Sequence, residues 1–217
     1  MHPTDVPALD LAAAGDAEAM KRIEDKPANA RTVDETIALA SGRAVQRRAA
    51  LGDLAKDLRQ DPALAENPDV TKRLREASQD QETARDALRI IASLPAPRSV
   101  DLLYDLWVGT RERTPTTMLA EELVYTKELR EKASPALAVA LDLREATTCE
   151  QVKPLLPRAI EHADRRSVRL LGRLTVRHGC GPNKAGDCYE CLRSDDAGVD
   201  VIQDALKAAR GRVEPKL

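Results

Sequence analysis

Start and stop signals for α-helices recur along the whole of this 217-residue chain, and their spacing constrains the fold more than any single motif does. Gly15 closes a short helix from Leu9 to Ala14, and Asp16 caps the next, Ala17 to Glu24, which ends before Pro27. Thr32, followed three residues later by Glu35, forms a capping box, in which hydroxyl and carboxylate each satisfy an N–H that the first helical turn leaves unpaired. A helix is therefore expected from Val33. It should pause at Ser41-Gly42 and resume through Ala44, Leu51, Leu54 and Leu58, which recur at helical spacing as one apolar stripe. Asp61-Pro62 and Asn67-Pro68 break the chain, because a residue before proline is driven out of the α region.

From residue 69 the pattern becomes regular, with helical runs expected at 69–78, 81–94, 99–109, 116–127, 135–146, 148–162, 165–178 and 199–210. Ser134-Pro135 sets a capping hydroxyl before a proline at the first helical position, where a missing N–H costs nothing. Thr147 with Glu150 forms a second capping box. Taken in pairs from 81, first helices start near 81, 116 and 148 and second helices near 99, 135 and 165, the period of a helical-hairpin repeat. Composition agrees. Ala and Leu make 61 of the 217 residues, Phe is absent, and Tyr104, Trp107, Tyr125 and Tyr189 are the only aromatics, which excludes most β-sandwiches and barrels.

In period and helix length the run from 81 to 178 resembles helical-repeat families such as tetratricopeptide and HEAT repeats. It lacks a tetratricopeptide signature, and Pro154 and Pro157 should kink the first helix of the last pair. The resemblance implies an all-α array of tandem antiparallel helical hairpins, with a compact helical bundle as the alternative. The expected organisation is an N-terminal helical segment over 1–68 and a hairpin domain over 69–217 with a cysteine-containing cap at 179–193. The last third is also similar to the helical C-terminal accessory regions of bacterial eukaryote-like serine/threonine kinases, through Thr148-Cys149-Glu150, Gly179-Cys180-Gly181 and Asp187-Cys188-Tyr189-Glu190-Cys191-Leu192. That likeness implies a non-catalytic accessory module of a signalling protein; the chain carries no glycine-rich kinase loop, His-Arg-Asp or Asp-Phe-Gly.

All four cysteines, Cys149, Cys180, Cys188 and Cys191, follow residue 148. Cys149 opens one expected helix and Cys180 follows the next, so two antiparallel helices of about 20 Å return both to one end of a hairpin. The Gly181–Gly186 loop should keep Cys188 and Cys191 there too. In an oxidising, extracytoplasmic compartment, Cys149–Cys180 would clamp the hairpin and Cys188–Cys191 would close a small ring. In a reducing, cytoplasmic one, the four thiolates could hold zinc, although structural zinc usually shows two close pairs. Free thiols are the third reading, with Cys188-Tyr189-Glu190-Cys191 as a redox pair; no strand precedes it, as such pairs normally require.

Arg165, Arg169, Arg173 and Arg177 recur every fourth residue on the run from 165, with Arg166 beside them. The chain is close to neutral, with 34 basic against 36 acidic residues, yet 151–193 holds nine basic against four acidic. The stripe reads either as a docking surface for an acidic protein or peptide or as a solvated or internally paired helix face. Without an aromatic stacking platform or reader motif, nucleic acid is not expected. Tyr104 and Trp107, with Leu103 and Leu106, are spaced to pack between helices. No hydrolase elbow, metalloprotease, phosphate-loop or dinucleotide motif occurs, so no enzyme and no cofactor is expected, zinc being the alternative. No run approaches the roughly 18 apolar residues of a membrane span, and no signal-peptide pattern opens the chain. The chain thus reads as soluble, or as a domain excised from something longer. The expected function is a non-catalytic, partner-binding helical module, with a zinc- or thiol-dependent redox sensor as the alternative.

Overall fold

A computed structural model describes residues 5–193 and 196–213, with side chains over 8–193 and 201–213. Thirteen α-helices and no strands occur among the described residues. They form two compact units, Met1–Pro95 with Leu106–Glu122, and Ala96–Asp105 with Leu123–Leu217. The boundary expected at 68/69 lies inside the first unit.

In that unit, α1 (Asp5–Ala13) and α2 (Ala17–Glu24) meet at Gly15, whose φ of +90° is open to glycine at no steric cost. Asp16 caps α2 by accepting from the Ala19 N–H at 2.8 Å. The Thr32–Glu35 capping box starts α3 at Val33, as expected. The expected pause at Ser41-Gly42 does not occur, and α3 runs unbroken over Val33–Gln60. Gly42 serves packing instead: a Cβ there would sit 2.0 Å from the Ala12 carbonyl oxygen and 2.8 Å from the Met20 sulfur. Its missing side chain lets α1 cross α3 closely over a core of Ala12, Met20, Ile23 and Leu39. Beyond residue 48, Leu51, Leu54 and Leu58 are buried, while α4 (Pro68–Gln79) and α5 (Ala84–Ser93) follow as a hairpin.

Two helices, α6 (Arg98–Val108) and α7 (Pro115–Val124), contribute residues to both units. The second unit contains α8 (Lys127–Arg130), α9 (Pro135–Glu145), α10 (Cys149–Val152), α11 (Leu155–His162), α12 (Arg165–Arg173) and α13 (Asp196–Gly211). Here α9 packs on α11 and α12, and α13 packs on the same two helices. Val139, Leu143, Val152, Leu156, Leu171, Leu174 and Leu206 form a closed apolar core. Ser134 caps α9 through the Leu137 N–H at 3.3 Å. The capping box expected from Thr147 and Glu150 is shifted by one residue, to Thr148 and Gln151, because the Gln151 amide oxygen reaches back to the N–H groups of both Thr147 and Thr148. The run expected over 148–162 divides at Lys153-Pro154 into α10 and α11, since a proline ring cannot continue the hydrogen-bond ladder.

Candidate functional site

The cap at the C-terminal end of α12 is assembled from short-range backbone geometry and two disulfides. Cys180 and Gly186 exchange backbone hydrogen bonds, Cys180 N–H to the Gly186 oxygen at 2.9 Å and Gly186 N–H to the Cys180 oxygen at 2.7 Å. A Cβ on Gly186 would approach the Cys180 oxygen to 2.9 Å, so the loop closes this tightly only with glycine there. Asn183 and Lys184, at φ +60° and +56°, turn the loop back. Cys188 is thereby delivered to Cys180, with Cα atoms 5.0 Å apart, and the two are disulfide-bonded. A 3-10 turn over Glu190–Leu192 then carries Cys191 to Cys149 at the start of α10, Cα to Cα 6.1 Å, and these form the second bond.

The sulfurs therefore come together at one place, as the sequence suggested, but the pairing is Cys149–Cys191 and Cys180–Cys188. The expected Cys149–Cys180 and Cys188–Cys191 pairs are corrected by the loop. Taken from sequence as irregular, it is a folded hairpin that brings its own two ends together. Its Gly181-Pro182-Asn183 run was the signal that could have shown this. Tyr189 and Leu192 are buried beneath the cap, and Arg193 pairs with Asp187 while donating to the carbonyls of Leu174 and Val176. Those carbonyls, taken by a guanidinium, explain why the helix expected to reach 178 ends at Arg173.

That early end dissolves the arginine stripe. Arg165 and Arg169 remain exposed on α12, while Arg177 lies beyond the helix, also exposed. Arg173 turns inward, giving its guanidinium to the carbonyls of Leu143 and, at 2.7 Å, Ala146, and so caps the end of α9. Arg166 is the buried member. Its side chain is 4% exposed and pairs with Asp101 and Asp164, which are 2% and 4% exposed, and it reaches Ser134 Oγ at 3.4 Å. Ser134 Oγ donates in turn to Asp101 at 3.0 Å, and Asp164 also caps α12 by accepting from the Arg166 N–H. Burial alone would lower the Arg166 pKa, but the hydrogen bond to Asp164 and the charges of Asp101 and Asp164 outweigh it and raise the value above that of a free arginine. Two of the five stripe residues are thus structural.

The same use of arginine recurs. Arg31 donates to carbonyls at the end of α2, and Arg212 to Ile160 and Ala163 at the end of α11. Sequence reading missed Asp101, the buried one of two acids on α6, whose partner lies 65 residues away. Tyr104 is buried as expected and accepts from Arg144 Nε at 3.1 Å, whereas Trp107 is half-buried at a shallow pocket of about 230 Å³ with Arg111, Arg113 and Glu121. A second groove, of about 250 Å³, lies between α3 and α4. Among the described residues no three His, Cys, Asp or Glu side chains are grouped as metal ligands, and no helix is long and apolar enough to cross a membrane. Compared with family models, curated proteins and solved structures, the chain matches none.

Proposed function

We propose that the protein is a non-catalytic binding module of an oxidising, extracytoplasmic compartment, and that the cap with the exposed side of α12 takes an acidic protein or peptide. One observation carries this reading. Arg165 and Arg169 on α12, and Arg177 and Lys184 on or beside a loop that two disulfides hold in one shape, are exposed with no ion-pair partner among the described residues. A pre-formed loop lowers the ordering cost of association, and guanidinium groups not already satisfied are free to fork onto carboxylates. The helical-repeat likeness and the kinase accessory-region likeness agree with such a role.

The test is peptide-display selection on the oxidised protein, with enriched sequences measured against the parent and an Arg165→Glu/Arg169→Glu/Arg177→Glu variant. Acidic sequences that bind the parent, weaken with salt and lose the variant support the reading. Enrichment that ignores the charge reversal overturns it. Exposure of Cys180 favours a second reading, thiol-based sensing, because an accessible disulfide sulfur is open to thiolate attack. Titration in glutathione buffers decides it, since a cap unchanged across cellular redox potentials is structural only.

A further inference from the structure

The two disulfides of the cap have unequal surroundings. Cys149, Cys188 and Cys191 are half-buried and pack against the core of the second unit, whereas Cys180 is exposed. Every residue over 175–186 is exposed, so no side-chain burial holds that loop. Its shape rests on backbone geometry that the chain does not favour by itself. Gly179, Gly181, Asn183 and Lys184 all lie at positive φ, a region that a residue such as lysine adopts only under constraint. The hydrogen bonds that close the loop, Gly179 N–H to the Lys184 oxygen at 2.8 Å and the pair between Cys180 and Gly186, join exposed residues, where water competes for them. Beyond Cys188 the setting changes. Tyr189 and Leu192 are buried, and Arg193 holds Asp187, the Tyr189 oxygen at 3.0 Å and the carbonyls of Leu174 and Val176.

We propose that the Cys180–Cys188 bond is a thiol-operated switch that regulates the basic cap, while Cys149–Cys191 is its permanent staple. This rests on reading the cap as the surface for an acidic partner. The reductant is a small anionic thiol. Arg177, Lys184 and, when protonated, His178 lie on or beside the loop that carries the exposed Cys180, and they draw such a thiolate towards it. Gly179 leaves the bond open on its side, since a Cβ there would lie 3.6 Å from the Cys188 sulfur. The thiolate attacks Cys180 Sγ, forming a mixed disulfide and expelling the Cys188 thiolate, a leaving group that neighbouring cations favour. A second thiolate attacks the outer sulfur of the mixed disulfide, releasing the small-molecule disulfide and the Cys180 thiolate. Two thiols are oxidised, the protein bond takes up their two electrons, and their two protons end on Cys180 and Cys188. Without the cross-link the positive-φ turn loses its constraint, and Arg177 and Lys184 no longer keep one spacing. Association then carries an ordering cost that the closed loop had removed. Tyr189, Leu192 and Arg193 keep Cys191 against Cys149 in either state.

The experiment adds reduced glutathione in steps to the oxidised full chain, blocks free thiols with iodoacetamide, and identifies the labelled cysteines by fragment mass. Cys180 and Cys188 should label together at about tenfold less thiol than Cys149 and Cys191, with far-ultraviolet circular dichroism unchanged. A fluorescent decaglutamate peptide then reports binding to the oxidised protein, to the selectively labelled form and to Cys180→Ser/Cys188→Ser. The carbamidomethyl groups are neutral, so a loss of affinity reports the loop and not its charge. Both opened forms should bind about tenfold more weakly than the oxidised protein. Labelling of Cys149 and Cys191 first, or of all four together, overturns the switch whatever the peptide does. Selective labelling with affinity within about twofold of the oxidised protein overturns the regulation and leaves the cap reading standing. An oxidised protein that does not bind decaglutamate overturns the cap reading, and the regulation with it.

Discussion

Replacing Arg166 by methionine tests whether the buried charge cluster holds the second unit together. The substitution roughly keeps side-chain volume but strands Asp101 and Asp164, 2% and 4% exposed, without their cation. Removing one partner of a buried pair costs about 3–5 kcal/mol, because the remaining charge has neither solvent nor counter-ion. With a urea slope of about 2 kcal/mol per molar, the midpoint should fall by about 2 M, followed by far-ultraviolet circular dichroism under oxidising conditions. Arg166→Lys, which keeps the charge but not the planar fork, should lie between. A variant midpoint within about 0.3 M of the parent, under 1 kcal/mol at that slope, would refute the reasoning.

Gly42→Ala should push α1 off α3 and lower the melting temperature by several degrees, whereas Gly52→Ala, in the same helix with no atom within 4 Å of the new methyl, should stabilise by about 0.5–1 kcal/mol; equal effects would show that the close crossing is not needed. Digestion after glutamate without reductant should release residues 146–150 linked to the fragment beginning at Cys191, with Cys180 and Cys188 together in another fragment; any link between Cys149 and Cys180 refutes the pairing. Because the bridges close 42- and 8-residue separations, removing Cys149–Cys191 should cost about 4 kcal/mol and Cys180–Cys188 about 2.5, an order that denaturant titration checks. Glu35, held below the ordinary carboxylate pKa first by Lys26 and then by the Thr32 N–H, lends stability above pH of about 4.3 that is lost as acid passes its lowered value. The advantage of the parent over Glu35→Gln should therefore be full at pH 7 and gone at pH 2; a constant difference in melting temperature would contradict it.

Helix starts were legible because their causes are local. At Thr32, Asp16 and Ser134 the capping oxygen and the N–H it satisfies lie within three residues, so the sequence alone places the helix. The all-α class and the gathering of four cysteines at one end followed from the same signals and from helix length. Helix ends and the role of the arginines were decided by the tertiary structure. A guanidinium satisfies solvent, a carboxylate or a distant carbonyl equally well, and nothing in its spacing tells which. Arg173, Arg193 and Arg212 serve helix ends 19 to 52 residues away, and Arg166 finds Asp101 only once α6 and α12 are packed. Disulfide connectivity has the same origin. The sequence brings four sulfurs near one another, but their pairing depends on a loop closure and one turn of 3-10 helix, where a few ångströms decide which sulfurs meet.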